Sequence, residues 1–261
     1  MFRSRLRRRG GTAVALLAAA SLMVTLSGCG VDPLTPQEAR EEAGSDDKPG
    51  GEGRRVDCAK TKCIALTFDA GPGKDTPELL DILKEKQVPA TFFLLGSKHV
   101  DRYPKVVKRI ADEGHEVANH TWTHRILTDL DAAEVREELE RTQDAVERIT
   151  GRKPTLMRPP QGRTDDTVSE VSKELGLAQI LWSITAKDYS TNDSALIEQR
   201  VLDQAHGDGI ILLHDIYDGT VPAVPPIIDE LKRRGFTFVT VPELLAPGKA
   251  EPGTVYRPEK D

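Results

Sequence analysis

"CIALTFD", Cys63 to Asp69, is an apolar run with β-branched residues that ends at an aspartate. A strand facing water on one side alternates polar and apolar residues, whereas an unbroken apolar run suits a strand covered on both faces. The stretch therefore predicts a buried strand of a parallel sheet. A Gly-Pro-Gly turn, Gly71 to Gly73, follows at once. Asp69 is then a carboxylate held at the mouth of a buried strand, which points to chemistry rather than packing. Its neighbour is Ala70, so it stands alone.

Strand-like and helical stretches alternate on the C-terminal side of this run. "DTPELLDILKEK" (75–86) has helical spacing, with Asp75 or Thr76 as a cap and Pro77 in the first turn. "ATFFLLG" (90–96) reads as a strand, "YPKVVKRIADEG" (103–114) as a helix stopped by Gly114, and "HEVANH" (115–120) as a short strand. "DAAEVREELERTQDAVERITG" (131–151) is the longest helix, with Val135, Leu139, Val146 and Ile149 along one stripe. "TLMRPP", "AQILWSI", "GIILLHD" and "FTFVTV" complete the strands, with helical stretches between them. Repeated strand-helix units predict an α/β fold, a parallel sheet flanked by helices, either a barrel or an open doubly wound sheet. Polar residues gather at the C-terminal ends of successive strands: Asp69, His120, Arg158, Asp188 and His214. Active sites of parallel α/β folds form at that edge.

The first part of the chain has a different character. A basic head, "MFRSRLRRRG", precedes an apolar stretch and then "LSGC", Leu26 to Cys29. This is the pattern of an export signal, and "LSGC" resembles the lipobox of bacterial lipoproteins. The resemblance implies a signal peptide over 1–28, cleavage before Cys29 and lipidation of its thiol. The location implied is the outer face of the bacterial cytoplasmic membrane, with the lipid as the membrane contact. An uncleaved anchor or an ordinary cleaved signal is the alternative. Residues 29–55, rich in Gly, Pro and acidic side chains, read as a flexible tether. The globular domain is expected over 56–248 and a tail over 249–261. Cys58 and Cys63 flank "AKTK", and in an exported protein a local disulfide is the favoured reading. A free thiol pair and metal binding are the alternatives. The chain of 261 residues is 38% hydrophobic with a net charge of −6, which argues against a nucleic-acid binder that depends on phosphate attraction.

The strand-end residues can be weighed singly. His120 and His124 lie four apart in "NHTWTH", a spacing that on a helical turn puts both imidazoles on one face to share a divalent metal. Arg158, before two prolines, can fix a carboxylate by pairing with it. His214 emerges from "GIILLHD", a run too apolar for an exposed strand, as a tunable acid-base group that Asp188 could orient. Trp122, Trp182 and Tyr189 are candidates for a sugar cleft or for core. His99, His115 and His206 read as structural.

Taken in order, these pieces resemble the polysaccharide deacetylases of the NodB-homology type, the fourth carbohydrate esterase family. "TFDAGP" resembles the motif Thr-Phe-Asp-Asp-Gly-Pro, "HTWTH" the His-Ser/Thr-x-x-His motif, "RPPQG" the Arg-Pro-Pro motif and "ILLH" the Leu-x-x-His motif. "KDYS" stands where an Asp-Trp pair is usual. The resemblance implies a distorted (β/α) barrel and a metal-assisted hydrolysis that removes N-acetyl groups from a polysaccharide. His120 and His124 would hold one divalent ion, usually zinc, with cobalt or nickel able to serve. Asp69 would be the general base oriented by Arg158, and His214 the general acid held by Asp188. Pro160, Gln161, Tyr189 and Leu212 would meet the substrate: the backbone N–H near Gln161 as an oxyanion donor, Tyr189 and Leu212 around the acetyl methyl. Ala70 departs from the pattern, because the aspartate usual there is the third metal ligand. Peptidoglycan N-acetylglucosamine is the expected substrate, with chitin-type oligosaccharides, xylan, or carbohydrate binding without catalysis as alternatives.

Overall fold

The computed structural model describes Met1, residues 32–43 and residues 56–259. The rest of the expected export segment, Cys29 and most of the expected tether lie outside the described residues. The strands are β1 (Cys63–Asp69), β2 (Thr91–Leu94), β3 (Glu116–Asn119), β4 (Leu156–Met157), β5 (Ala178–Ile180), β6 (Ile184–Thr185), β7 (Gly209–Leu213), β8 (Thr237–Val239) and β9 (Val255–Tyr256). The helices are α1 (Pro36–Glu42), α2 (Thr76–Lys86), α3 (Pro104–Asp112), α4 (Ala132–Thr150), α5 (Asp166–Glu174), α6 (Ser194–Gln204), α7 (Thr220–Arg233) and α8 (Val241–Leu245).

All named strand pairs among the described residues are parallel, in the order β6-β7-β1-β2-β3-β4-β5-β9. β8 lies along the first half of β1, from Cys63 to Ala65, below the stretch that pairs with β2. β6 is at one end of this order and β5 is next to the other end, beside β9, yet only residues 181–183 separate them in sequence. The sheet must therefore curl until its ends meet. Leu181 N–H still donates to Tyr256 of β9, and Ser183 N–H already donates to Ile210 of β7. The fold is a distorted (β/α) barrel, closed there by continuity of the chain rather than by a ladder.

Every residue of β1 is buried, and its side chains divide by the period of two. Ile64, Leu66 and Phe68 join the large cluster beneath α2 and α7, where Phe68 stacks on Phe92 at 5.2 Å. Ala65 joins the inner cluster with Phe93, Ala118, Leu156, Ile180 and Ile210. Continuing that inner register brings Thr67 and then Asp69 to the mouth. The same count carries β3 from Ala118 to His120, β4 from Leu156 to Arg158, and β7 from Ile210 through Leu212 to His214. The α/β pattern thus points one residue from each of four strands into one mouth.

The structure departs from expectation in three places. "AQILWSI" is not one strand: it breaks at Leu181–Ser183, where the chain crosses between the two ends of the sheet. The segment read as a tail carries β9, whose Tyr256 is buried beside β5. Within the expected tether, Pro36–Glu42 is helical and capped by Thr35, with Arg40 donating to the Leu244 carbonyl of α8 at 2.8 Å. Both ends of the expected domain therefore extend into neighbouring segments. Cys58 and Cys63 are joined by a disulfide.

Candidate active site

A cavity of about 640 Å³ opens at the C-terminal mouth of the barrel, lined by Asp69, Ala70, His120, His124, Gln161, Tyr189, Leu212 and His214 among others. Arg158 and Asp188 stand behind this wall, each holding a residue that faces the cavity. Pro160 is buried at the start of a short turn (Pro160–Gly162) and does not line the cavity.

One side is built around Asp69. Arg158 is fully buried, and its Nη1 donates to Asp69 Oδ1 at 2.7 Å and to Thr67 Oγ1 at 2.8 Å. Its Nε donates to the Ile180 carbonyl at 2.9 Å, and its guanidinium lies 4.0 Å over the Phe93 ring. Thr67 donates in turn to the Ile211 carbonyl at 2.6 Å. A charge taken this far from water must be paired and hydrogen-bonded, and this arrangement leaves the second oxygen of Asp69 toward the histidines.

The opposite side is built around His214. Asp188 accepts from His214 Nδ1 at 2.9 Å, from the His214 backbone N–H at 2.7 Å and from Thr220 Oγ1 at 2.8 Å. Burial lowers the pKa of His214, but the hydrogen bond and charge of Asp188, with the charge of Asp69, outweigh it and the net shift is upward. The ring is thus favoured as an imidazolium, and its other nitrogen is left to give a proton away.

Between them sit the two histidines. They do not lie on a helical turn as the spacing predicted: the segment is a loop with Thr121 at φ 69° and His124 at φ 65°. The rings nevertheless meet edge to face with centroids 4.9 Å apart. His120 Nδ1 lies 2.8 Å from the Arg158 carbonyl, which makes it the protonated nitrogen and leaves Nε2 bare, 3.9 Å from Asp69 Oδ2. Burial brings His120 down to about 4 despite the pull of Asp69, and it lowers His124 too. Both rings are neutral at pH 7, the form that binds a metal. The donor set therefore fits a divalent ion at two positions. Among the described residues no group of three His, Cys, Asp or Glu is gathered as a ready-made metal site.

Position 70 is where the resemblance leads one to expect a third ligand. Ala70 has φ 62°, its N–H bonds to the Phe93 carbonyl at 3.1 Å, and its methyl faces the cavity. Left-handed backbone suits Gly, Asn or Asp and costs an alanine conformational energy. The turn has a backbone geometry that would tolerate aspartate, but it holds a residue that cannot ligate.

Several contributors were missed by the sequence reading. Glu138 of α4 accepts from the backbone N–H groups of Trp122 and Thr123, at 3.1 and 2.7 Å, and from Thr123 Oγ1, and so fixes the histidine loop. Its signal was a carboxylate on the apolar stripe of α4, beside Leu139. His99, expected to be structural, lines the cavity with Nδ1 3.0 Å from the Pro72 carbonyl. Tyr217 also lines it, with its ring centroid 5.4 Å from that of His214. Asp215 is buried, accepts from Thr76 Oγ1, and abuts Gly71 so closely that a Cβ there would lie 2.2 Å from Asp215 Oδ1. Burial raises its pKa to about 6. Trp182 lines the cavity, whereas Trp122 packs against the large core cluster under Arg141.

Residues 57–180 match the family model described as polysaccharide deacetylase. The peptidoglycan-N-acetylglucosamine deacetylase of Listeria monocytogenes is 43% identical over 188 residues, which cover 71% of this chain and 40% of that enzyme. This chain thus matches well under half of that relative's length. A peptidoglycan-N-acetylglucosamine deacetylase of Bacillus cereus is 37% identical over 190 residues, covering 70% of this chain and 88% of the relative. Among solved structures, the T48 deacetylase with substrate superposes with a TM-score of 0.74 at 41% identity, covering 77% of this chain and 99% of the other.

Proposed function

Because the chain belongs to the polysaccharide deacetylase family, we propose that it is a hydrolase that removes N-acetyl groups from a cell-wall polysaccharide, with peptidoglycan N-acetylglucosamine as the favoured substrate. The observation that carries this reading is the pair of opposed, separately anchored groups across one cavity: Asp69 on Arg158 and His214 on Asp188. Amide hydrolysis needs a base and an acid at the same pH: Arg158 orients the Asp69 carboxylate, and Asp188 raises the pKa of His214.

Asp69, with Oδ1 committed to Arg158, takes a proton from the attacking water through Oδ2. The water oxygen bonds to the acetyl carbon, and the backbone N–H at Gln161 would receive the oxyanion. His214 gives its proton to the amine nitrogen as the C–N bond breaks, releasing acetate and a free amino sugar. Tyr189 and Leu212 bound the space for the acetyl methyl. A divalent ion at His120 and His124, zinc or else cobalt or nickel, would supply Lewis-acid polarisation of the carbonyl and a more acidic water. Export and lipid anchoring through Cys29 would place the domain beside the wall.

A second reading, a carbohydrate-binding lipoprotein without catalysis, is favoured by one observation, the methyl at position 70 where the resemblance leads one to expect a carboxylate. The test is to strip the protein of metal, titrate it with zinc, cobalt or nickel, and follow acetate release from peptidoglycan, N-acetylglucosamine oligomers and acetylated xylan. Metal-dependent release supports the enzyme, and the substrate ranking names its class. Glycan binding with no release on any substrate supports the second reading.

A further inference from the structure

Just past Gln161 the surface beside the site changes character. Gln161 lines the first cavity, Gly162 lines two further ones of about 850 and about 370 Å³, and Arg163 lines the smallest. Consecutive Cα atoms are about 3.8 Å apart, so the backbone of Arg163 lies at most about 7.6 Å from that of Gln161. The polar side chains around the smallest cavity are those of Thr128, Thr164, Arg163 and Arg257, and no acidic residue among the described ones lines it.

Both arginines are carried on fixed backbone. Arg163 N–H donates to the Pro160 carbonyl at 3.3 Å, and Arg257, next to β9, donates its N–H to the Leu34 carbonyl at 2.8 Å. Elsewhere arginines are matched with carboxylates: Arg109 with Asp81 and Glu113, Arg125 with Glu134, Arg234 with Glu230. Among the described residues Arg163 and Arg257 have no such partner. Nearby acidic groups are engaged elsewhere. Asp165 accepts from the Val168 N–H at the start of α5 at 2.9 Å, and Glu38, in the wall of the 850 Å³ cavity, accepts from the Thr35 N–H at 2.8 Å. Glu259 lines that larger cavity and not the smaller one. Two unpaired guanidinium groups beside one cavity make a local positive site in a chain of net charge −6.

We propose that the cavity between Arg163 and Arg257 binds an oxyanion, a carboxylate or phosphate carried by the wall polymer, and so docks that polymer beside the reacting bond. The inference rests on the deacetylase reading for the identity of the polymer. A guanidinium pairs with two oxygens of a carboxylate or phosphate as a fork, and the Thr128 hydroxyl is a further donor. The Thr164 hydroxyl is already given to Gln179. The volume suits a small ligand group. A neutral N-acetylglucosamine oligomer has nothing for this site, whereas wall glycan bears peptide carboxylates and attached phosphodiesters.

The test uses the full chain, loaded with zinc, and follows acetate release from four substrates. These are intact peptidoglycan, the same polymer stripped of peptides by an amidase, the same polymer stripped of phosphate polymers by acid, and neutral N-acetylglucosamine oligomers. The expected result is a kcat/KM about fivefold higher on the anionic polymer than on one of the stripped forms, an advantage that shrinks as salt is raised. Arg163→Gln with Arg257→Gln should abolish it through KM, with the melting temperature and the rate on neutral oligomers unchanged. Arg163→Lys with Arg257→Lys keeps the charge without the fork and should restore part of it. The treatment that removes the advantage names the source, peptide carboxylate or phosphate. Equal turnover on all the polymers overturns the site, and so does an advantage that survives the glutamine pair. Should no substrate release acetate, the deacetylase reading fails instead. Calorimetric titration with a muramyl peptide and with inorganic phosphate then judges the cavity: binding lost in the glutamine pair supports it, and no binding, or binding that survives, overturns it.

Discussion

The two pairs of groups in the cavity, Asp69 with His214 and His120 with His124, are furnished unequally. In the proposed acid-base pair, Asp69 and His214 each have a buried partner, and those partners have partners of their own: Thr67 and the Ile180 carbonyl for Arg158, Thr220 and the His214 backbone for Asp188. The loop that carries the two histidines, proposed to hold a metal, is just as firmly held, by Glu138, but position 70 offers only a methyl. On the proposed reading, the loop that would hold the metal is intact and its ligand set is short by the one carboxylate that the resemblance leads one to expect. Proton transfer depends on orientation supplied by the protein, whereas an ion can fill an open position with water.

The largest test of that contrast is Asp69→Asn. It keeps an acceptor for Arg158 but removes the base, and kcat should fall by about 10³–10⁴-fold, measured as acetate release at saturating metal. Metal affinity should change far less than it would on losing His120. A variant retaining full rate would place the base elsewhere. Next is Arg158→Leu. It leaves the Asp69 carboxylate buried without its cation, and breaking such a pair costs about 3–5 kcal/mol of stability. Denaturant unfolding should show that loss together with a fall in rate. A stable, active variant would mean that Asp69 relaxes toward the cavity and needs no partner.

Asp188→Asn follows, with an expected loss of roughly 10²-fold in kcat/KM and a signature in the pH profile. Burial lowers His214, and the bond and charge of Asp188 are what raise it on balance. Without that charge the basic limb of kcat/KM should move to lower pH. Stability should respond in the matching direction. A histidine raised in the fold above its ordinary 6.5 contributes stability that is fully present below that value and lost as pH rises through the folded value. In the variant, that loss of stability on the alkaline side should disappear. An unmoved basic limb would assign it to another group.

What the sequence made legible follows from where the physics is local. The buried run at Cys63–Asp69 and the period of two along the strands suffice to bring Asp69, His120, Arg158 and His214 to one edge. The break at Leu181–Ser183 was hidden because closing a curled sheet is a long-range demand that leaves no trace in seven apolar residues. β9 and α1 were hidden for a related reason. Tyr256 is buried only because β5 offers it an edge, and Pro36–Glu42 rests on α8. Both stretches read as polar and unpatterned when taken alone. Glu138 and His99 act through loops whose course no periodicity encodes. The histidine spacing was informative for the wrong reason, since positive φ at Thr121 and His124, rather than a helical turn, brings the rings together.

The smallest expected effect answers the contrast most directly. Ala70→Asp adds a carboxylate at a backbone position already at φ 62°, where aspartate is better tolerated than alanine, so the fold has no reason to resist it. The new side chain would face the cavity beside two neutral imidazoles and complete a three-ligand set of the kind that holds catalytic zinc. Zinc affinity, measured by competition with a chelator, should tighten by about tenfold or more, equivalent to roughly 1.4 kcal/mol. Activity at saturating metal should rise or stay level, because the acid-base side is untouched. Tighter binding with level activity would show that the open position is filled adequately by water in the natural chain. Tighter binding with a marked gain would show that the ligand set is what limits it. A collapse of activity would mean that the space at position 70 is used by the substrate, and that the acid-base pair and the histidine pair have adjusted to each other.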